Sequence, residues 1–338
     1  MTWFRVDVPP SGGGGTSFDF LGAATGDPNT FELTDATIGN TTATKIPQYM
    51  FFNNQTIKRV SLSTITEVQL KAFNGANYIK GINLPNCVTI GESAFDSIIY
   101  FNDSPNNSII NIPKCKTVGA YAFRNLRPST GSISDVWFEW HLDSVETIGQ
   151  AGFRGANYTW KTHEMYFPKL KQVQGAYALG GITIEKLHIG PDCTALNDYL
   201  LHNSTVTNFI IEATTPPTLG SHGLGTPTQL SHIYVPAGSV TAYQSDSRWG
   251  SYSSIIEVIP SVTLNANTTT LSVSDTFQLS ATTTPSGQTV SYVSSDTAVA
   301  SVDSSGLITG VAVGTATITA SFTIDGLVCS AVCEVTVE

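Results

Sequence analysis

The 338-residue chain carries a net charge of −10, with 12% charged and 41% hydrophobic residues. The acidic balance and the lack of any basic run argue against nucleic acid and anionic membrane surfaces as partners, and no apolar stretch reaches the length of a membrane span, so no membrane insertion is expected. Ser, Thr, Asn and Gly wet the surface in place of ions, which suits β-rich extracellular or virion proteins better than a cytosolic enzyme.

The opening "MTWFRVDVPPSGGGG" lacks the apolar core of a signal peptide, so export by that route is not expected. Within it, Trp3, Phe4, Val6 and Val8 give an edge-strand pattern, and "PPSGGGG" supplies a hinge. Residues 1–30 therefore read either as an arm that attaches to a larger assembly or as a frayed terminus.

From residue 31 the chain repeats itself. "VTIGESAF" (88–95) returns as "KTVGAYAF" (116–123) and "ETIGQAGF" (146–153). The closing aromatic extends to a series of anchors: Phe51, Phe73, Phe95, Phe123, Phe153, Leu179 and Leu201. Their spacings are 22, 22, 28, 30, 26 and 22, a period that signals a solenoid with lengthened middle units. Before most anchors lies an alternating pair: Val60/Leu62, Ile82/Leu84, Ile110/Ile112, Trp140/Leu142, Met165/Phe167 and Leu187/Ile189. Each is expected to be a strand with one buried face, and Pro85, Pro113 and Pro168 end three of them. The unit reads as strand, turn, then an "IGxxAF" segment whose glycine permits a tight corner and whose final ring drops into the core on a short helical turn. One coil cannot bury its own apolar face, so the coils are expected to stack, one strand of a parallel sheet per repeat.

The lengthened units carry the most distinctive non-core residues. In "DVWFEWHLD" (135–143), Val136, Phe138, Trp140 and Leu142 alternate inward, leaving Trp137, Glu139 and His141 on the other face. "RGANYTWKTHEMY" adds Tyr158 and Trp160. Aromatics among polar neighbours suit glycan or protein contact; the alternative is that these rings cover the ends of lengthened coils. Asp135, Glu139 and Asp143 cluster here as well, but paired-carboxylate glycosidase chemistry needs a cleft, which a solenoid insertion does not evidently offer.

From Ser261 the composition turns to Thr, Ser and Val in short strands separated by turn residues, which reads as a β-sandwich. Pro260 marks the join, and Asp303 in "DSSG" reads as a turn rather than a calcium loop. Three of the five cysteines, Cys87, Cys115 and Cys193, occupy a slot that other repeats fill with Ile65, Val145 or Leu170. They read as buried apolar thiols, with a Cys87–Cys115 bridge between neighbouring coils sterically open but not required. Cys329 and Cys333 lie too far apart along one strand to bond. The six histidines show no metal-ligand spacing and no GxSxG elbow is present, so neither metal, cofactor nor catalytic residue is assigned.

"IGESAF", "VGAYAF" and "INLPNCVTIG" resemble the BspA-type leucine-rich repeat, also called the Treponema pallidum-type repeat, and residues 209–256 resemble the usual end of such an array. "SSDTAVASVDSSGLITGVAVGTATITA" (294–320) resembles the bacterial Ig-like group 2 domain, with Tyr292 where that family often has Trp. The resemblance implies a mainly β protein with short helical turns: an arm (1–30), a leucine-rich-repeat solenoid (31–259) and an Ig-like sandwich (260–338). Both families recur on bacterial cell surfaces, and the Ig-like domain also on phage structural proteins. The expectation is a non-enzymatic virion protein, tail- or capsid-associated, that binds host-surface glycan or protein. Multivalent display on the particle would reinforce it, with other virion proteins as partners and a homo-oligomer left open. The alternatives are a bacterial cell-surface adhesin lacking its leader and, with no supporting residues, a polysaccharide-degrading enzyme.

Overall fold

The computed structural model describes residues 31–35, 43–77, 79, 81–98, 107–126, 137–155 and 160–338. The chain divides into two compact units between Ile256 and Glu257, shortly before the composition shift at Pro260.

Among the described residues, the first unit is a β-solenoid built on two parallel sheets, the larger running from Phe31–Thr34 to Gln229–Val235 and the smaller from Lys45–Ile46 to Thr218–Leu219. The larger sheet contains the alternating segments, among them Ile57–Ser61, Ile82–Asn83, Asn107–Asn111 and Trp137–His141. The smaller sheet is made of strands two or three residues long, such as Glu67–Val68, Thr89–Ile90, Thr117–Val118 and Thr147–Ile148. These stack in exact succession, Val68 on Ile90, Ile90 on Val118 and Val118 on Ile148. The sequence reading finds one strand per coil; the structure adds this second sheet, whose strands are too short to leave an alternating trace.

Between the sheets runs a column of rings. Phe51, Phe73, Phe95, Phe123 and Phe153 stack with centroid separations of 4.9, 5.0, 5.4 and 5.5 Å and interplanar angles of 17°, 5°, 2° and 12°. Leu179 and Leu201 continue the buried column. The longer middle coils still deliver their rings to it, so the period of the core is the coil rather than a fixed residue count. Each ring gains both burial and an offset-stacked neighbour.

The segment leading to each anchor is a run of hydrogen-bonded turns, and the described helices of the first unit are confined to residues 237–255. Two residues before every anchor the backbone is left-handed: Tyr49, Lys71, Ser93, Tyr121, Ala151, Tyr177 and Tyr199 have φ between 51° and 63°. That conformation costs a non-glycine residue about 1 kcal/mol. It also aims each amide along the solenoid axis. Ser93 N–H donates to Ala120 (2.8 Å), Tyr121 to Gln150 (2.8 Å) and Ala151 to Ala176 (2.9 Å). The anchors do the same, Phe95 donating to Ala122 (2.8 Å) and Phe123 to Gly152 (2.7 Å). Stacking neighbours thus satisfy backbone that a single coil would leave unpaired.

The motif glycines serve a different need from the tight corner expected of them. Gly91, Gly119 and Gly149 are not left-handed. A Cβ on Gly119 would lie 2.7 Å from the Gly91 carbonyl carbon, and one on Gly149 2.5 Å from the Ala120 nitrogen. Glycine stands here because adjacent coils pass backbone to backbone.

Cys87, Cys115 and Cys193 are buried free thiols, and desolvation pushes each up to about 12. They stay protonated at neutral pH and act as small apolar side chains. After the last long strand, Gln229–Val235, helical turns close the array. There the Trp249 indole donates to the Pro217 carbonyl (2.7 Å) and the Tyr243 hydroxyl to the Ala213 carbonyl (2.9 Å), both side chains fully buried.

The second unit is a β-sandwich. Its largest sheet joins Thr268–Leu271, Leu327–Val337, Gly314–Ile324 and Ser291–Ser294 in that order. Leu279, Ile308, Ile318 and Cys333 form the core, with the half-buried Tyr292 ring packed against it. Asp303 closes a turn. Its Oδ1 accepts from the Ser305 hydroxyl (2.7 Å) and the amides of Ser305 (2.8 Å) and Leu307 (2.9 Å), which holds its carboxyl below the usual range.

Candidate binding surface

The long strands do not all run alike. Lys161–Phe167 pairs with Thr183–Ile189 across its whole length, but the register skips His163 and Glu185. The next pair of strands skips the same position. In these strands two solvent-side residues stand side by side, His163 with Glu164 and Glu185 with Lys186, before alternation resumes at Met165 and Leu187. Each strand thus carries one more residue between its inward side chains than strict alternation allows, and the pairing keeps a constant offset through it, so the extra residues lie in register from coil to coil.

Trp137–His141 has no such extra residue. It pairs along its full length with Asn107–Asn111. With Lys161–Phe167 it pairs only at Trp137–Lys161 and Phe138–Thr162. There the buried Thr162 hydroxyl donates to the Phe138 carbonyl (2.8 Å). Beyond that point the two strands part. The parting opens a groove of about 420 Å³ on the outer face, with Glu139, His141 and Asp143 on one side and His163, Glu164 and Tyr166 on the other.

At the closed end, the half-buried Trp137 ring lies flat on His163, 3.9 Å between centroids and 7° between planes, with the Lys161 ammonium 5.7 Å from the indole centroid. His163 Nδ1 is 2.7 Å from Glu185, His141 Nε2 is 2.9 Å from Glu139, and Lys186 is 2.9 Å from Glu164. Tyr166 stacks on His188 at 4.4 Å. Burial, then the carboxylates of Glu212, Glu164 and Asp143, push its phenol up.

Of the residues singled out in the sequence, Glu139 and His141 line this groove, and Trp137 stands at its edge, stacked on the lining His163. Trp160 does not join them and corrects the expectation of a surface ring. It is fully buried, 5.3 Å from the Trp140 ring and 5.4 Å from the Phe138 ring, because it precedes the paired Lys161 and turns inward to fill the wider core of the lengthened coil. Tyr158 and the arm residues Trp3, Phe4, Val6 and Val8 lie outside the described residues, as do Asp135 and Val136. The cleft judged lacking beside Glu139 and Asp143 is present as this open groove. Sequence reasoning passed over His163, Glu164 and Tyr166; the signal was the doubled polar residue inside "KTHEMYF" and "TIEKLHI".

The profile of the BspA type Leucine rich repeat region matches in six copies, over residues 28–100, 97–215 and 129–247. The chain belongs to the BspA-type leucine-rich-repeat family. The bacterial Ig-like domain (group 2) matches residues 258–325 of this BspA-type protein. No curated protein matches the sequence. BspA-type solenoids and Ig-like domains are typical of non-enzymatic binding proteins, and the pairing of the two is that of a surface or adhesion-type protein. In this BspA-type solenoid, the parted strands are where the regular outer face gives way to a concave, aromatic-edged surface.

Proposed function

We propose that this protein is a non-enzymatic attachment protein, carried on a phage virion, whose solenoid binds glycan on the surface of the host cell. The groove between Trp137–His141 and Lys161–Phe167 carries the reading. A flat indole on an imidazole offers a face to the apolar side of a sugar ring. Carboxylates and imidazoles within the same groove offer hydroxyl partners in a fixed array, on strands rather than loops. Weak single contacts become lasting when many copies share one particle. The match of the second unit to the bacterial Ig-like domain (group 2) supports placement on a surface assembly.

Trp137→Ala is expected to lower binding of the full chain to its best ligand on a glycan microarray at least tenfold, about 1.4 kcal/mol, with an unchanged far-UV spectrum. Trp137 is not in the ring column, so folding should survive. Undiminished binding would remove the groove from the account. Immunogold labelling separates a virion from a bacterial surface: gold on particles supports the first, gold confined to cell envelopes the second.

A further inference from the structure

The groove has a sign. Its lining holds three carboxylates, Glu139, Asp143 and Glu164, and neither lysine nor arginine. Glu139 is matched by His141 and Glu164 by Lys186, both at 2.9 Å. Asp143 has no ion pair among the described residues. Trp140 also lines the groove, and its buried indole N–H meets no acceptor among the described residues.

A compact metal ion does not suit this arrangement. Among the described residues, no three of these groups bring ligand atoms within 4.8 Å of one another. Carboxylates spread along an open groove, with the exposed Tyr166 ring on one wall, suit an extended ligand that bears its positive charge on an organic group. Such a group gains from the carboxylates and from the ring face together.

We propose that the groove selects amine-bearing sugars, with the ligand ammonium at Asp143, over N-acylated or anionic ones. This rests on the glycan-binding reading above and narrows it to a ligand class. The Tyr166 phenol is raised by burial first and by Glu212, Glu164 and Asp143 after it, so it stands within reach of the same carboxylates.

The test is calorimetric titration of the full chain, at mildly acidic pH and low salt, with hexamers of glucosamine, of N-acetylglucosamine and of galacturonic acid. The glucosamine hexamer is expected to bind at least tenfold more tightly than the N-acetyl hexamer, and the anionic hexamer not to bind. Asp143→Asn should cost the glucosamine hexamer about fivefold and leave the N-acetyl hexamer unchanged. Raising salt to about 0.5 M should weaken the glucosamine hexamer alone. Equal binding of the glucosamine and N-acetylglucosamine hexamers, or preference for the anionic one, overturns the charge selection and leaves glycan binding standing. Binding of none of the three, with no glycan captured on the microarray either, overturns both. A glucosamine preference that Asp143→Asn does not reduce overturns the role of Asp143.

Discussion

Phe95→Ala is expected to lower the unfolding free energy by about 4 kcal/mol, the range found for large-to-small changes of a buried ring. Phe95 is fully buried, with Phe73 at 5.0 Å on one side and Phe123 at 5.4 Å on the other, both nearly parallel. Deleting the ring opens a void within the column, and its neighbours cannot close it without breaking the amide ladder. Phe95 N–H is tied to Ala122, and Phe73 N–H to Ala94. Chemical denaturation should show a lower midpoint. It should also show a shallower or split transition, because a weakened joint lets the coils on its two sides unfold separately. Phe95→Leu should recover more than half of that loss, since Leu179 and Leu201 hold equivalent places in the native column. Equal stability of Phe95→Ala and wild type would mean that the column does not hold the solenoid together.

The second large effect is expected at Arg124. Its guanidinium grips Asp96 with two bonds, Nη2 to Oδ2 at 2.6 Å and Nε to Oδ1 at 3.1 Å, and stacks 4.5 Å above the Tyr121 ring. The Asp96 side chain is 4% exposed and that of Arg124 35%. The pair links adjacent coils through the residues that follow Phe95 and Phe123. Hydrogen bonding to Asp96 raises the guanidinium's already high pKa. Removing one partner of a buried pair strands the other, at about 3–5 kcal/mol when both are fully enclosed. Partial exposure of Arg124 brings the expectation for Arg124→Met to about 2–3 kcal/mol. Adding Asp96→Asn to that variant should restore at least 1 kcal/mol, because no unpaired charge then remains and Ser97, Asn74 and Asn125 lie near enough to serve the amide. A double variant less stable than Arg124→Met alone would place the importance of Asp96 in shape rather than charge.

Much of the fold was legible because the core repeats in sequence as it repeats in space. Phe95, Phe123 and Phe153 end three near-identical octapeptides, and each octapeptide is one layer of the column. The cysteine slot was legible for the same reason: a position that accepts Ile, Val, Leu or Cys is an apolar one. Features made by contact between coils left weaker traces. Tyr121 and Tyr177 give no sign in one dimension of a left-handed backbone, because the amide bonds that offset its cost come from the next coil. Gly119 suggests a bend until the neighbouring coil's backbone is seen against it. Trp160 resembles Trp137 in its polar surroundings, yet one is buried and the other half-exposed, because a strand's pairing partner decides which face of it is inside. The groove was hidden most completely. It follows from one extra solvent-side residue in one strand and none in its neighbour, a difference that matters only when the two are laid side by side.

Amide hydrogen exchange of the full chain, with and without saturating glucosamine hexamer, tests most directly whether the parted strands are the binding surface. The account predicts new protection confined to residues 137–143 and 161–166, with the ring-column segments and the Ig-like unit unchanged. Protection appearing on the Ig-like unit or on the turn edge around Tyr177 and Tyr199, with residues 137–143 unaffected at saturation, would contradict it.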